Sequence, residues 1–358
     1  LQVPDRELVR LGLISNRGFI VIAAVVGIVS QIQWGDQDWL QDQDWLSVYQ
    51  SVRAKAPGWM GWLFESGSLA GRVFLGIALI LLVLVLLRLL SIAWYLVRYR
   101  GFTLRKKGED LRAEYGLLTH VSSLIPVHRI QLVTVSATLL HRCFGRTSID
   151  LETAGASDAG SELGGQLAAG VNITRQWLAP IVESGRAAEL VREVLPEVAI
   201  EEVEWKPIEA RAVRRIVNRV AIAVTPVTIG LAAVLTFSPI PLSGLHALWL
   251  PPVALMTTWL ITCQWVRRAS YALTERAIYF RSGWLSRQIS VVRFVNMQTV
   301  SMLQTPFDRR KRMASVAVDT AGAGTHGHRI RIPFLDVDVA ESILYRLYSE
   351  TRSTEFRW

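Results

Sequence analysis

Charge is scarce in this sequence. Only 19% of its 358 residues are Asp, Glu, Lys or Arg, where a soluble domain carries about 25%. Half of the chain is apolar, so the deficit points to lipid-buried segments. Cysteine is scarcer still. Cys143 and Cys263 lie far apart with no CxxC pattern, which excludes a disulfide framework and a zinc site. No Ser/His/Asp or Cys/His spacing stands out, and no Lys-Ser/Thr follows a glycine-rich turn, so enzymatic activity has no support in the sequence. No cofactor is expected. A signal-peptide pattern is also missing, and the chain opens on Leu1 rather than Met. It is expected to begin partway through a longer protein.

Four apolar stretches approach the roughly 20 residues that cross a hydrocarbon core. They run from Gly18 to Ile32, Val73 to Val97, Val220 to Phe237 and Leu245 to Val266. Pro226, Pro251 and Pro252 would break a soluble helix, but neighbouring helices in a membrane can satisfy the freed backbone groups. The alternative for each stretch is a buried core helix.

Lys and Arg near the spans set the orientation. Arg6, Arg10 and Arg17 precede the first span, and Arg98, Arg100, Arg105, Lys106 and Lys107 follow the second. Lys206, Arg211, Arg214, Arg215 and Arg219 precede the third, and Arg267 and Arg268 follow the fourth. The connection from Trp34 to Gly71 instead holds Asp36, Asp38, Asp42, Asp44 and Glu65 against Arg53 and Lys55, and Ser238 to Gly244 has no charge. Both connections are therefore expected outside and both soluble stretches in the cytoplasm. The net charge of +9 reads as topological, not as a nucleic-acid footprint.

The chain repeats itself. Gly116-Leu117-Leu118-Thr119 returns 167 residues later as Gly283-Trp284-Leu285-Ser286. The same offset carries Gln131 to Gln298, Val133 to Val300, Thr138 to Thr305, Arg142 to Arg309, Ser148 to Ser315, and Thr153-Ala154-Gly155 to Thr320-Ala321-Gly322. Such self-similarity marks a duplicated structural unit. Thr147 to Thr153 and Ser315 to Asp319 alternate with the period of a half-buried strand. Tyr279-Phe280, a Ser282-Gly283 turn and Trp284-Leu285 predict a hairpin. Each unit is expected to end in an amphipathic helix. In the second, Asp336 or Asp338 caps a face of Val339, Ile343 and Leu347; in the first, the face is Leu190, Val191, Val194 and Leu195, stopped by Pro196. Several strands and then one helix make an α+β unit.

These residues carry a resemblance. A hairpin, Gly-Leu-Leu, Arg129-Ile130-Gln131, Leu139-Leu140, Phe144-Gly145 and Thr153-Ala154-Gly155 together resemble the bacterial PH-like membrane-flanked domain family, in particular its YdbT-type multi-domain members. The opening Glu7-Leu8 with Gly12 to Arg17 looks like the junction after an upstream copy. The second copy departs with Asn296-Met297-Gln298 and with Arg309-Arg310-Lys311-Arg312 in place of Phe144-Gly145. The resemblance implies a membrane α+β protein. Two transmembrane helical hairpins are each followed by a PH-like β-sandwich or partly open barrel, two nearly orthogonal sheets closed by a C-terminal helix. The expected organisation is a tail of an upstream unit (1–17), hairpin 1 with an outer Trp/Asp-rich loop (18–97), PH-like domain 1 (98–196), a juxtamembrane linker (197–219), hairpin 2 (220–266) and PH-like domain 2 (267–350). It implies no catalysis. It implies a bacterial inner-membrane location, multi-pass with cytoplasmic PH-like domains, and as partners membrane lipid and a companion single-domain membrane-flanked protein or a homo-oligomer.

Candidate sites follow from charge. Arg309, Arg310, Lys311 and Arg312 are the densest basic run, a contact for anionic lipid worth about 1 kcal/mol per charge near the surface, or else a solvated turn. Arg105, Lys106 and Lys107 carry the same two readings. Arg88 lies inside the second span, where a charge faces protein, water or a lipid phosphate, or snorkels to the interface. Asp36, Asp38, Asp42 and Asp44 could hold Ca²⁺ but lack the turn Gly and final Glu of an EF-hand; with Trp34, Trp59 and Trp62 they read better as a segment at the outer headgroup level. His326 and His328 make a weak metal signal, and no metal is expected. The sequence therefore predicts a non-catalytic membrane scaffold. A transport or export component using the hairpins, or an anionic-lipid sensor, is the alternative.

Overall fold

Residues 1–15, 69–108, 110–154, 175–237, 249–320 and 330–353 are described in the computed structural model. They fall into two compact units, Leu1–Thr103 with Glu114–Ser122, and Leu104–Ala113 with Ser123–Trp358. The expected first span, the Trp/Asp segment, the Ser238–Gly244 connection, Gly322 and the His326/His328 pair lie outside the described residues.

The first unit is built on two helices. Helix α1 (Asp5–Ile14) places Asp5 and Glu7 in its first turn, where the helix dipole favours anions. It buries Leu8, Leu11, Gly12 and Ile14. A Cβ on Gly12 would stand 2.5 Å from the Ile92 Cα, so only glycine permits this approach to helix α2 (Leu69–Tyr99). Within α2, Ile80–Tyr99 has a mean hydropathy of 2.6 and is long and apolar enough to cross a membrane. Leu81, Leu82, Val85, Leu86 and Leu89 are exposed. A helix apolar on all sides is a core or membrane element, and among the described residues little of this one is covered by protein. At its end Tyr95, Tyr99, Tyr115 and Phe102 stack in a row, with ring centroids 5.3 to 5.9 Å apart.

The first repeat then folds as β1 (Thr103–Lys107), β2 (Asp110–Tyr115), β3 (Val121–Pro126), β4 (Ile130–Ala137), α3 (Leu139–Cys143), β5 (Arg146–Thr153), β6 (Arg175–Glu183) and α4 (Ala187–Val194). A short strand β7 (Lys206–Pro207) leads to helices α5 (Ala212–Phe237) and α6 (Leu250–Arg268), which pack against each other. The expected third and fourth spans are thus helical, but among the described residues only α2 reaches the length and apolarity of a span. The second repeat follows as β8 (Ser270–Leu273), β9 (Ala277–Ser282), β10 (Arg287–Arg293), β11 (Met297–Leu303), α7 (Pro306–Arg309), β12 (Met313–Thr320), β13 (Ile330–Asp336) and α8 (Val337–Ser353).

The offset of 167 aligns β1–β5 of the first copy with β8–β12 of the second, down to a 3₁₀ turn before β4 and another before β11; the last strand and helix recur at a shorter spacing. Gly116 (φ 118°) and Gly283 (φ 94°) open matching turns; a Cβ would stand 2.0 Å from the Thr119 oxygen and 1.7 Å from that of Ser286. The turn needs Gly because its backbone folds onto the residue three positions on. It is wider than the expected Ser-Gly turn, so Trp284 and Leu285 sit in it and not on a strand.

The sheets do not stay within the copies. Strands run β1-β2-β3 in one sheet and β11-β12-β13 in another, while β6-β5-β4-β10-β9-β8-β7 form a single seven-stranded sheet. Its centre is an antiparallel junction, Arg287 opposite Ala137 through Val292 opposite Leu132. Asn296 Nδ2 donates to the Ile130 carbonyl at 2.6 Å, and Arg293 Nη2 to those of Ile130 and Val127 at 3.1 and 3.3 Å. Leu132, from the first copy, joins the second copy's core beside Ile278, Val292, Phe294 and Met297.

Helix α8 closes the second copy. Asp336 Oδ1 accepts from the Asp338 amide, as a cap should. Its buried face is Ala340, Ile343 and Leu347, while Val339 is 37% exposed. The expected Val339 face is one residue off, because Ala340 is small enough to lie against the sheet. In the first copy α4 buries Leu190, Val191 and Val194, and Leu195 follows into the core.

Candidate membrane-contact site

The basic run follows α7, and α7 is fastened to the start of α5. Thr305 and Asp308 form a reciprocal cap: Thr305 Oγ1 accepts from the Asp308 amide, and Asp308 Oδ2 accepts from the Thr305 amide. This is the Thr-x-x-Asp version of the capping box. Arg215 Nε donates to Asp308 Oδ1 at 2.9 Å and Nη2 to Thr305 Oγ1 at 3.2 Å. The Arg215 guanidinium also lies 5.0 Å over the Phe307 ring, a cation–π contact. Arg215 and Asp308 are both buried. Burial by itself would raise the Asp308 pKa, but hydrogen bonds from Thr305 and Arg215 outweigh it and hold the carboxyl below the usual range.

A second clamp adjoins. Arg211 donates to Asp336 Oδ2 at 2.7 Å, to Glu209 Oε2 at 3.1 Å and to the Lys311 carbonyl at 3.2 Å. These bonds fix the backbone of the basic run. Arg312 adopts φ 51° and pairs with Asp338 at 3.2 Å. Arg309 and Arg310 are exposed, beside Phe307 at 52% and Leu303 at 45% exposure. The turn therefore presents two guanidinium groups and the Phe307 ring next to the start of α5, with Leu303 exposed at the end of β11. That mixture suits an anionic interface, where basic groups meet phosphates and apolar ones enter the headgroup region.

Arg105, Lys106 and Lys107 are elsewhere, on β1. Strand alternation puts Lys106 opposite in direction to its neighbours, and its Nζ donates to the Glu193 carbonyl at 2.8 Å. Lys106 thus caps the C-terminal end of α4, where a cation is favoured; all three side chains, Arg105, Lys106 and Lys107, are exposed. Arg88 has a structural partner set. Its Nη1 donates to the Leu13 and Ser15 carbonyls at 3.1 and 3.0 Å. Ser91 Oγ donates to the same Ser15 carbonyl, and Ser15 Oγ bonds Tyr95. Arg88 so satisfies the last carbonyls of α1.

His141 is the first copy's counterpart of Asp308 and meets a different set of partners. Ser148 Oγ spends its single hydrogen on the Pro180 carbonyl at 2.9 Å, so it accepts from His141 Nε2 at 2.9 Å. Nδ1 is then bare and accepts from Thr138 Oγ1 at 2.8 Å. Burial lowers the His141 pKa, and the native imidazole is neutral. An unfolded histidine protonates near pH 6.5. The contribution of His141 is therefore whole above that pH and is lost as the pH falls through the lower native pKa. Denaturant titration of wild type and His141→Gln is expected to show a steeper loss of stability toward pH 5 in the wild type; parallel curves would contradict a buried neutral imidazole.

Sequence reasoning missed Arg215, Thr305 and Asp308. Thr305-x-x-Asp308 is legible as a helix-start signal, but Arg215 is one of several arginines before a span and nothing local distinguishes it. Among the described residues no group of His, Cys, Asp and Glu is arranged to hold a metal.

A helix apolar enough for a membrane and two matching β-rich units each ending in a helix define a membrane-associated protein with paired PH-like domains. The model of the bacterial PH domain family matches residues 61–196 and again 216–351, and the chain belongs to that family. It is similar to the transmembrane protein YdbT of Bacillus subtilis (strain 168), 24% identical over 260 residues. That alignment covers 72% of this chain and 49% of the relative, so the chain spans about half the length of the relative it matches. No solved structure matches it.

Proposed function

We propose that this chain is a non-catalytic, multi-pass scaffold of the bacterial inner membrane. Its PH-like domains lie on the cytoplasmic side and hold a companion membrane protein, the inner leaflet, or both. The observation that carries the reading is the seven-stranded sheet. It fuses the two copies into one continuous platform, which supports a role in presenting surfaces in fixed geometry. The charge asymmetry around the apolar segments supports the cytoplasmic placement. A mild-detergent purification from native membrane tests this: a membrane protein retained in fixed proportion is the expected result. Recovery of the chain with no bound protein, together with no preference for anionic over neutral vesicles, would refute it.

A lipid-contact reading has its own support in the exposure of Arg309 and Arg310 beside Phe307 and Leu303. Replacing Arg309 and Arg310 by Ala is expected to weaken association of the second PH-like domain with anionic vesicles, at about 1 kcal/mol per charge near the surface. Arg312→Ala is expected to matter less, because Asp338 already pairs it. Equal binding by all variants in vesicle flotation would remove this reading. Arg88 does not favour the transport alternative, since its bonds run to the end of α1.

A further inference from the structure

The contact between the copies uses different strands on its two sides, β4 from the first and β10 from the second. A heterologous contact of this kind does not close on itself, so among the described residues the pair keeps one unused half at each end. The repeat offset identifies them: β3 is the first copy's counterpart of β10, and β11 is the second copy's counterpart of β4. Both are sheet edges among the described residues. Leu124 on β3 is 60% exposed where its counterpart Val291 is 2% exposed. On β11, Gln298 and Thr299 are exposed and Val300 is half-buried, where Gln131, Leu132 and Val133 are buried.

Natural sheets guard open edges with charges, internal prolines or bulges. Neither Val121–Pro126 nor Met297–Leu303 contains a charged residue, and Pro126 stands only at the last position of β3. The one irregularity of β11, between Met297 and Thr299, recurs in β4 between Ile130 and Leu132, and β4 pairs on both sides regardless. The bulge therefore does not protect the edge.

We propose that β11 pairs with β3 of a second copy of this chain, in the register that β10 adopts on β4. The occupant is a second copy because the chain itself carries both complementary strands. The register follows from the junction already seen. Ser290 opposite Thr134 becomes Ser123 opposite Ser301, and Val291 opposite Val133 becomes Leu124 opposite Val300. The contact covers Leu124, the most exposed large apolar side chain of β3. Arg129 takes the place of Asn296, positioned to donate to the Met297 carbonyl as Asn296 donates to that of Ile130. Repetition builds a head-to-tail row or ring of chains. This goes beyond the scaffold reading and does not need it, since neither lipid nor companion protein enters the contact.

The test uses the full chain in its membrane, with Cys143→Ser and Cys263→Ser to remove the native thiols. Two differently tagged chains are co-expressed, one with Ser123→Cys and one with Ser301→Cys. Residues directly opposite in an antiparallel pair have Cα atoms about 4.5–5.5 Å apart, within the disulfide range. Mild oxidation is expected to give a disulfide-linked heterodimer, and Ser123→Cys with the out-of-register Gln298→Cys is expected to give little. Adding Leu124→Lys to one chain, or Thr299→Lys to the other, should each abolish the linkage; both positions are exposed in the single chain, so folding is spared. No heterodimer, equal yield from the out-of-register pair, linkage that survives both lysines, or linkage only to a different protein would overturn the proposal.

Discussion

Replacing Asp308 with Ala is expected to lower the unfolding free energy of the second PH-like copy by about 3 kcal/mol, the lower end of what breaking a buried ion pair costs. The size follows from what is left behind. Arg215 keeps its charge in a buried position without its carboxylate, and Thr305 loses the reciprocal half of the cap. The loss should exceed that of Arg211→Ala, whose ion pairs with Glu209 and Asp336 lie in solvent and belong to the screened surface class that contributes little. Denaturant unfolding followed by tryptophan fluorescence measures both. An Asp308→Ala loss no larger than that of Arg211→Ala would show that the buried pair does not fasten α7 to α5. The pH dependence has a definite sign. The native pKa of Asp308 lies below the unfolded value of about 3.9, so its contribution is complete above that pH. It disappears as the pH falls through the native pKa.

Leu132→Ala is the second large effect, an expected loss of about 3 kcal/mol for truncating a fully buried leucine. Leu132 lies on β4 of the first copy yet packs into the core of the second. The cavity therefore opens at the junction, and the two copies are expected to unfold in separate steps where the wild type unfolds in one. Thr299→Ala, at the matching position of β11, is the control. Thr299 is exposed, and a surface substitution of this kind stays within about 0.5 kcal/mol. Calorimetry in detergent distinguishes the cases. A single transition in Leu132→Ala would mean that the shared sheet, and not the shared core, couples the copies.

The positions of the elements were largely legible in the sequence. The repeat offset predicted that β4, β5 and the turn at Gly116 would recur as β11, β12 and the turn at Gly283, because identical local sequences meet the same steric limits. The α2 span was legible because unbroken apolarity needs no long-range information to interpret. Val339 was misassigned because helical periodicity alone does not register by one residue; the sheet selects which small side chain it accepts. Of the candidate site, the exposed arginines were legible as a charge run. Their neighbours were not. Lys106 reads like Arg105 and Lys107 in the chain, and only strand alternation and the nearby end of α4 separate it from them. Arg88 reads as a charge inside a span that either faces a partner or snorkels, and only the return of α1 against α2 supplies its acceptors.

By itself, the sequence determined that two copies of one β-rich unit follow apolar segments, for hydropathy and self-similarity are properties of local stretches. Only the tertiary structure decided which strand edges meet. β10 had the same local claim to remain an edge as β3, and β4 as β11. Burial of Leu132, Val291 and Val292 together, between residues more than 150 positions apart, is a non-local gain that no window of sequence contains.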